Sequence, residues 1–369
     1  MELKGICSVI LLSITLISCY TTKKESTLNH KNSLVQFSKN FSISIEKGGY
    51  ALHLINPENN TIEKKYFLTK SKKTSIPEGY TKIQIPIQST IALSSTHIGM
   101  LNKLKSCDLV KGISNHIYVH EPSILKRYHN GEVIEMGDEN SIPVESIIKS
   151  KANLLIYSGF GKKFPHEEQL EKIGIICMAN YDWRENHPLG KAEWIKVFGY
   201  LTGKEKQADN YFKHLTKEYF RLIKIAKKAK TAPTLFSGNL VGDTWFSPAG
   251  ESYNAILFKD ANGDYKYKNT KGTGSTENSF EQIFKDNVST EYWFNPGIAS
   301  NKDLLLAQPK FQLFQSYQKN KIYSYTFSGN EFWERSAIEP HHVLSDLIHI
   351  LHPELKLKNK LYFYRTLDK

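Results

Sequence analysis

Between Glu205 and Lys230 the chain runs for 26 residues without a proline or a glycine. Apolar or aromatic side chains recur at Ala208, Tyr211, Phe212, Leu215, Tyr219, Leu222, Ile223, Ala226 and Ala229, with lysines on the other face. That three-four spacing predicts one amphipathic helix over 205–230, roughly 39 Å long at 1.5 Å per residue. A helix of that length with a single apolar stripe either enters a coiled coil or spans two lobes. The flanking sequence decides between them.

On each side the pattern alternates between short apolar runs and helical periods. Before the long helix, strands are predicted at Ser89–Leu93, Leu109–Ile113, Val133–Met136, Asn153–Tyr157 and Ile175–Met178. Helices are predicted at Ile98–Ser106, Pro143–Ser150, Glu167–Ile173 and Gly190–Gly203. After Pro233 come strands at Thr234–Ser237, Glu291–Phe294 and Lys321–Tyr325, with helices at Glu251–Lys259, Ser279–Lys285 and Pro340–Leu351. Strands alternating with helices argue for parallel α/β layering. The expected fold is therefore α/β: two α/β lobes, at 87–204 and 231–369, joined by the rigid helix 205–230. Residues 41–86 alternate with period two around Lys47-Gly48-Gly49 and read as an N-terminal β-rich extension.

The N-terminus carries its own signal. Lys4 precedes a nearly unbroken apolar run from Ile6 to Ile17, too short to span a bilayer, and the run ends in Leu16-Ile17-Ser18-Cys19. This resembles a bacterial lipobox, so residues 1–19 are expected to be a lipoprotein signal peptide and Cys19 the lipidated residue. Residues 20–40, polar and rich in Ser, Thr and Lys, read as a flexible tether. Lys23-Lys24 follow the cysteine without the acidic run found in surface-displayed bacterial lipoproteins, a likeness that implies the periplasmic side of a membrane. Of the four cysteines, Cys107 and Cys177 remain in the mature chain, either as a disulfide or as free buried thiols.

The 369 residues carry 49 Lys and Arg against 37 Asp and Glu, a net charge of +12 that attracts anions. Because the lysines are scattered, with short groups only at 70–73 and 227–230, no nucleic-acid groove is expected. Three stretches have unusual chemistry. Ser94-Ser95-Thr96-His97 stands where a strand gives way to a helix, a place that presents N–H groups to an anion. The run 180–187 (NYDWRENH) combines aromatic faces with the Arg184 guanidinium. The third combines 245–253 (WFSPAGESY) with 327–335 (FSGNEFWER). His341, His342, His349 and His352 lie on or just past the last helix with spacings that a zinc site can use, yet no HExxH is present. There is no GxSxG elbow and no P-loop either.

Taken together, the lipobox, the two α/β lobes and the connecting helix resemble the substrate-binding lipoproteins of bacterial ABC importers for ferric siderophores, haem and vitamin B12. The resemblance is carried by 188–195 (PLGKAEWI) running to Gly203-Lys204-Glu205, by Gly250-Glu251-Ser252, and by 343–355 (VLSDLIHILHPEL). It looks like the form common in Bacteroidota. It implies a monomeric, non-enzymatic periplasmic protein without a cofactor, in the class III periplasmic binding protein fold. Such a protein closes with a small hinge motion on a metal chelate and hands it unchanged to an ABC transporter permease. The implied binding walls are Thr96, His97, Tyr157, Tyr181, Trp183 and Arg184 on one lobe, and Trp245, Tyr253, Phe327, Trp333 and Arg335 on the other. In this family a glutamate near each lobe's tip meets permease arginines; Val144-Glu145-Ser146 and Ser279-Phe280-Glu281 match those motifs, which assigns the role to Glu145 and Glu281. Two other readings are a zinc or manganese binder using the C-terminal histidines and a surface hydrolase using Ser95 and His97.

Overall fold

The computed structural model describes residues 33–159 and 163–368. The expected signal peptide, Cys19 and most of the expected tether lie outside the described residues. From Ser33 onward the chain forms one compact unit.

The β-rich extension is a four-stranded sheet, with β1 (Phe41–Glu46), β2 (Gly49–Ile55), β3 (Ile62–Thr69) and β4 (Thr81–Gln84) side by side in chain order. The period-two pattern sets its register: Phe41 faces Leu54 and Ile43 faces Leu52, and all four are buried. The hairpin bend needs its glycines. Gly48 has φ +89°, and a Cβ on Gly49 would stand 2.2 Å from the Leu68 carbonyl oxygen. The sheet is fused to the first lobe, since the Tyr66 hydroxyl donates to the Cys177 carbonyl at 3.0 Å and Lys64 pairs with Glu167 at 2.7 Å.

That lobe holds β5 (Thr90–Ala92), β6 (Val110–Ile113), β7 (Ile134–Glu135), β8 (Leu154–Tyr157) and β9 (Ile176–Ala179). They form an all-parallel sheet in the order β7-β6-β5-β8-β9. In the second lobe, β10 (Thr234–Ser237) is followed by a hairpin of β11 (Asn239–Val241) and β12 (Thr244–Pro248). β13 (Asp264–Tyr265), β14 (Ser275–Ser279), β15 (Tyr292–Phe294), β16 (Ile322–Ser324) and β17 (Arg365–Thr366) complete it. β13, β10, β15 and β16 run parallel with β17 antiparallel at the edge, while β11, β12 and β14 make a separate antiparallel sheet.

The bridging helix spans Glu205–Ala226, 22 residues or about 33 Å, and buries Ala208, Phe212, Leu215, Tyr219, Leu222 and Ala226. It stops one turn short of Lys230, where Lys228 and Ala229 donate back three residues in a tightened turn. Its two ends serve different lobes. Ala208 packs on Gly199, whereas the Tyr219 hydroxyl donates to Asp260 at 2.7 Å in the second lobe. The expected single helix over 190–203 is two, Pro188–Glu193 and Ile195–Leu201, meeting at Trp194.

Ser33–Asn40 corrects the tether expectation. The Glu193 carboxylate accepts the backbone N–H groups of Gln36, Phe37 and Ser38 at 2.8, 2.7 and 3.0 Å. Glu185 takes those of Lys39 and Asn40, each at 3.1 Å, together with the Ser38 hydroxyl. Lys196, also buried, joins Glu193 at 2.8 Å and the Leu34 carbonyl at 2.7 Å. Buried carboxylates require such donors, so this segment is strapped down rather than loose. Cys107 and Cys177 are both free and buried.

Candidate functional site

Parallel strands deliver their loops to one edge of a sheet, and ligands in open α/β folds gather outside the carboxyl ends of the strands. In the first lobe that edge carries Ser94–Thr96 after β5, Asn115–Tyr118 after β6, Ser158 after β8 and Asn180–Asn186 after β9. In the second it carries Asn239, Asn295 and the 325–335 segment after β16. A cavity of about 610 Å³ is lined by Asn186 from the loop after β9 and by Gly250, Glu251, Lys259, Tyr265 and Lys268 of the second lobe, beside helix Tyr253–Asp260 and away from Asn239, Asn295 and 325–335.

The lobes touch through the short helix Phe332–Arg335, which lies on helix Ser95–Lys103. A Cβ on Gly99 would be 1.7 Å from the Glu334 carbonyl oxygen, so only glycine permits this approach. Lys103 pairs with the buried Glu339 at 2.7 Å, and His120 N–H donates to the Glu334 carboxylate. Three cations or partners (His342, Lys103 and Arg335) overcome the burial of Glu339 and hold its carboxyl well below the usual range. Burial pushes Glu334 up to about 7, against the N–H groups of His120 and Glu121. An acid whose folded pKa is raised stabilises the fold most while protonated, below its unfolded value near 4.5, and loses that contribution as the pH climbs through 7. Glu334→Gln keeps the neutral form at every pH. Its stability relative to the parent chain is expected to grow by about 2–3 kcal/mol between pH 5 and pH 8; parallel melting profiles for the two proteins would refute the assignment.

Several expected wall residues are placed elsewhere. His97 is 0% exposed, with both ring nitrogens unpartnered and its pKa lowered by burial to about 3, packed beside Phe198. It faces into the helix packing, and Ser95 donates instead to the Tyr118 carbonyl, so these two do not form a hydrolase pair. Trp245 is also 0% exposed. It packs among Phe236, Trp293 and Phe311 as the centre of the second lobe's own core, because β12 turns it inward under β11 and β14. Tyr181 is buried and donates to Glu63 of the extension at 2.6 Å, and Tyr157 is buried against Phe164. Arg335 is half-buried, but its charge is taken by Glu331 and Glu339 at 3.1 and 2.8 Å. None of the five presents the surface expected of it.

Other expected residues do stand at the strand-end edges. Thr96 is half-buried at the helix start capped by Ser94. Trp183 is 38% exposed, its indole donating to the Ser158 carbonyl at 2.6 Å, with Arg184 stacked 5.2 Å from its ring. Trp333 is 58% exposed and stands edge-on to Tyr325, itself stacked on Phe332 at 3.8 Å. Phe327 lies under Arg365 at 3.9 Å. Tyr253 is half-buried beneath the Lys191 ammonium, 5.4 Å from its ring, and donates to the Ser336 carbonyl at 3.4 Å. Sequence reasoning missed Tyr118, exposed after β6, and Arg365, which arrives from an edge strand too short for a periodic signal. It also missed Asp182, a buried carboxyl raised by burial against the Lys191 charge and the Thr96 hydroxyl.

The C-terminal histidines do not converge. His342 pairs with Glu339 at 3.2 Å and stacks on Tyr362, while His352 meets the Ala261 carbonyl at 2.9 Å. Among the described residues no group of three His, Cys, Asp or Glu side chains could hold a metal ion, which leaves the zinc or manganese reading without a site. No helix among them is long and apolar enough to cross a membrane.

Two α/β lobes braced by one helix, with loops from both sheets gathered at the strand ends, define the class III periplasmic binding protein fold. The sequence model of the periplasmic binding protein family matches residues 91–328, and the chain belongs to that family. It is 24% identical to an uncharacterized lipoprotein of Methanocaldococcus jannaschii over 375 residues, covering 93% of this chain and 88% of that one. Among solved structures, the periplasmic haem-binding protein HutB of Vibrio cholerae superposes with a TM-score of 0.59 at 13% identity, covering 72% of this chain and 99% of its own. The periplasmic vitamin B12-binding protein BtuF of the same organism gives a TM-score of 0.54 at 12% identity, covering 74% and 99%.

Proposed function

We propose that the protein captures an iron chelate (a siderophore complex or haem) or cobalamin between its lobes and delivers it, chemically unchanged, to an ABC transporter permease. The observation that carries this reading is the pair of exposed indoles, Trp183 after β9 and Trp333 after β16, one on each lobe at the strand ends. An indole as exposed as that of Trp333 is costly in water unless a ligand covers it, and aromatic surface suits a planar or bulky partner better than a sugar. Thr96, Arg184, Tyr253 and Phe327 complete the walls, and Arg184, 3.7 Å from the Glu58 carboxylate, would have to exchange that partner to meet an anionic group. Structural neighbours named for haem and vitamin B12 support the ligand class.

Glu145 and Glu281 are exposed in the first turns of helices Val144–Ser150 and Phe280–Asn287. Each helix precedes a parallel strand, β8 or β15, and so starts at the strand-end edge of its sheet. We assign them to docking on permease arginines, one per lobe, so that their separation reports whether the lobes have closed. The protein acts as a periplasmic monomer held to a membrane through lipid on Cys19, a location that the lipoprotein names of its relatives support. It performs no catalysis and binds no nucleic acid.

The test is quenching of tryptophan fluorescence during titration with haem, cobalamin and ferric chelates. One of these is expected to bind, and Trp183→Ala or Trp333→Ala to weaken it tenfold or more, equivalent to about 1.4 kcal/mol. Binding of none of them, or binding that neither substitution alters, overturns the reading. With the reconstituted transporter, Glu145→Arg plus Glu281→Arg should remove stimulation of ATP hydrolysis while leaving ligand affinity unchanged.

A further inference from the structure

The chain as a whole carries a net charge of +12, yet its guanidinium groups are spoken for. The sequence holds five arginines, and every one of them pairs with a carboxylate. Two of these pairs, Arg127 with Glu132 and Arg221 with Glu218, lie on helices away from the strand ends. The other three stand at the proposed walls. Arg184 is 3.7 Å from Glu58 of the extension, and Arg335 meets Glu331 and Glu339 at 3.1 and 2.8 Å. Arg365, stacked over Phe327, is 3.1 Å from Asp368. Where the lobes meet, Lys103 is taken by Glu339 at 2.7 Å.

Carboxylates, by contrast, are left over at the same edge. Glu139, in the loop after β7, accepts the Ser158 N–H at 2.9 Å. Burial, helped by Asp138 and opposed by that bond, raises its carboxyl above the ordinary value, and no cation acts on it. Asp182, after β9, is also raised by burial although Lys191 opposes the shift. Lys163 stands exposed after β8, one ammonium on a flexible stem. An anionic ligand could draw a guanidinium away from its acid, because exposed ion pairs are weak. The cost lies in what stays behind, a carboxylate without its counter-ion beside a ligand of the same sign.

We propose that the cargo is a metal chelate of no net negative charge, neutral or cationic, and that the paired arginines together with Glu139 reject polyanionic chelates. This rests on the transport reading and narrows its ligand class. A neutral chelate is held by contact area and hydrogen bonds instead of counter-ions. The strand ends offer that area: besides Trp183 and Trp333, Ile117 and Tyr118 are exposed on the turn after β6. Selection then works by repulsion of the wrong ligand as much as by attraction of the right one.

Isothermal titration calorimetry of the full chain separates the cases, with a neutral ferric trihydroxamate, cyanocobalamin and an anionic ferric tris-catecholate as probes. One of the two neutral probes is expected to bind about tenfold tighter than the tris-catecholate, or better. Glu58→Gln, an exposed substitution that frees Arg184, should tighten the tris-catecholate by about fivefold and so narrow the gap. Tris-catecholate binding as tight as that of the neutral probes overturns the inference and leaves the transport reading standing. So does a gap that Glu58→Gln fails to narrow. Binding of none of the three overturns both.

Discussion

Replacing Glu193 by alanine is expected to destabilise the protein by about 3–5 kcal/mol. The carboxylate is fully buried and does two jobs at once: it neutralises the Lys196 ammonium at 2.8 Å and accepts three backbone N–H groups from Gln36 to Ser38. Alanine leaves a buried ammonium without a bonded carboxylate, with the Leu34 carbonyl and the Phe212 ring as its remaining neighbours, and three amides without an acceptor. Each loss alone is costly, and here they coincide. Denaturant melts should register the loss, and limited proteolysis should cut within 33–40 in the variant and not in the parent. Glu193→Gln, which keeps an acceptor but not the charge, is expected to fall between the two. A loss under 1 kcal/mol with no new cleavage would mean that the strap is incidental to the fold.

The second large effect is expected at Gly99. Its missing side chain is what lets helix Ser95–Lys103 lie against the Glu334 carbonyl, and a methyl there would sit 1.7 Å from that oxygen. Because the obstacle is backbone and not a flexible side chain, one helix must move away from the other. Gly99→Ala should cost about 3 kcal/mol, at the upper end for overpacking, although alanine is the better helix former. The displaced element belongs to the 325–335 segment that carries Trp333, so ligand affinity should fall together with stability. Gly274→Ala, with open space around it and no left-handed backbone, serves as the control. Equal melting temperatures for the two variants would show that the contact between the lobes yields easily.

Where the apolar pattern was strong the sequence was readable. The stripe from Ala208 to Ala226, the alternation at Phe41 and Ile43, and the strand Thr234–Ser237 all stand where periodicity puts them. The end of the bridging helix was not legible, because Lys227, Lys228 and Ala229 are good helix formers and no glycine or proline marks the stop. Side-chain direction was harder still. Tyr181 and Trp183 are two residues apart in one loop, yet one is tied to Glu63 and the other faces water. Trp245 looked like a binding residue because its partner strand β14 reads Ser-Thr-Glu-Asn-Ser, a strand with no apolar period at all. Without that partner the hairpin that buries the indole could not be seen. His97 failed for the same kind of reason: a polar residue next to a helix cap reads as solvent-facing, and only tertiary packing reveals that it points inward.

The strap at Gln36–Asn40 also sets a length. If lipid on Cys19 holds the chain to a membrane, fourteen residues separate that anchor from Leu34, whose N–H donates to the Ile43 carbonyl at 2.9 Å. Fully drawn out, that link reaches roughly 50 Å. The leash therefore ends beside the brace between the lobes, with Phe37 resting on Phe212 of the bridging helix. A pull from the bilayer would be borne by the first lobe, through Glu185, Glu193 and Lys196, and would leave the second lobe unloaded.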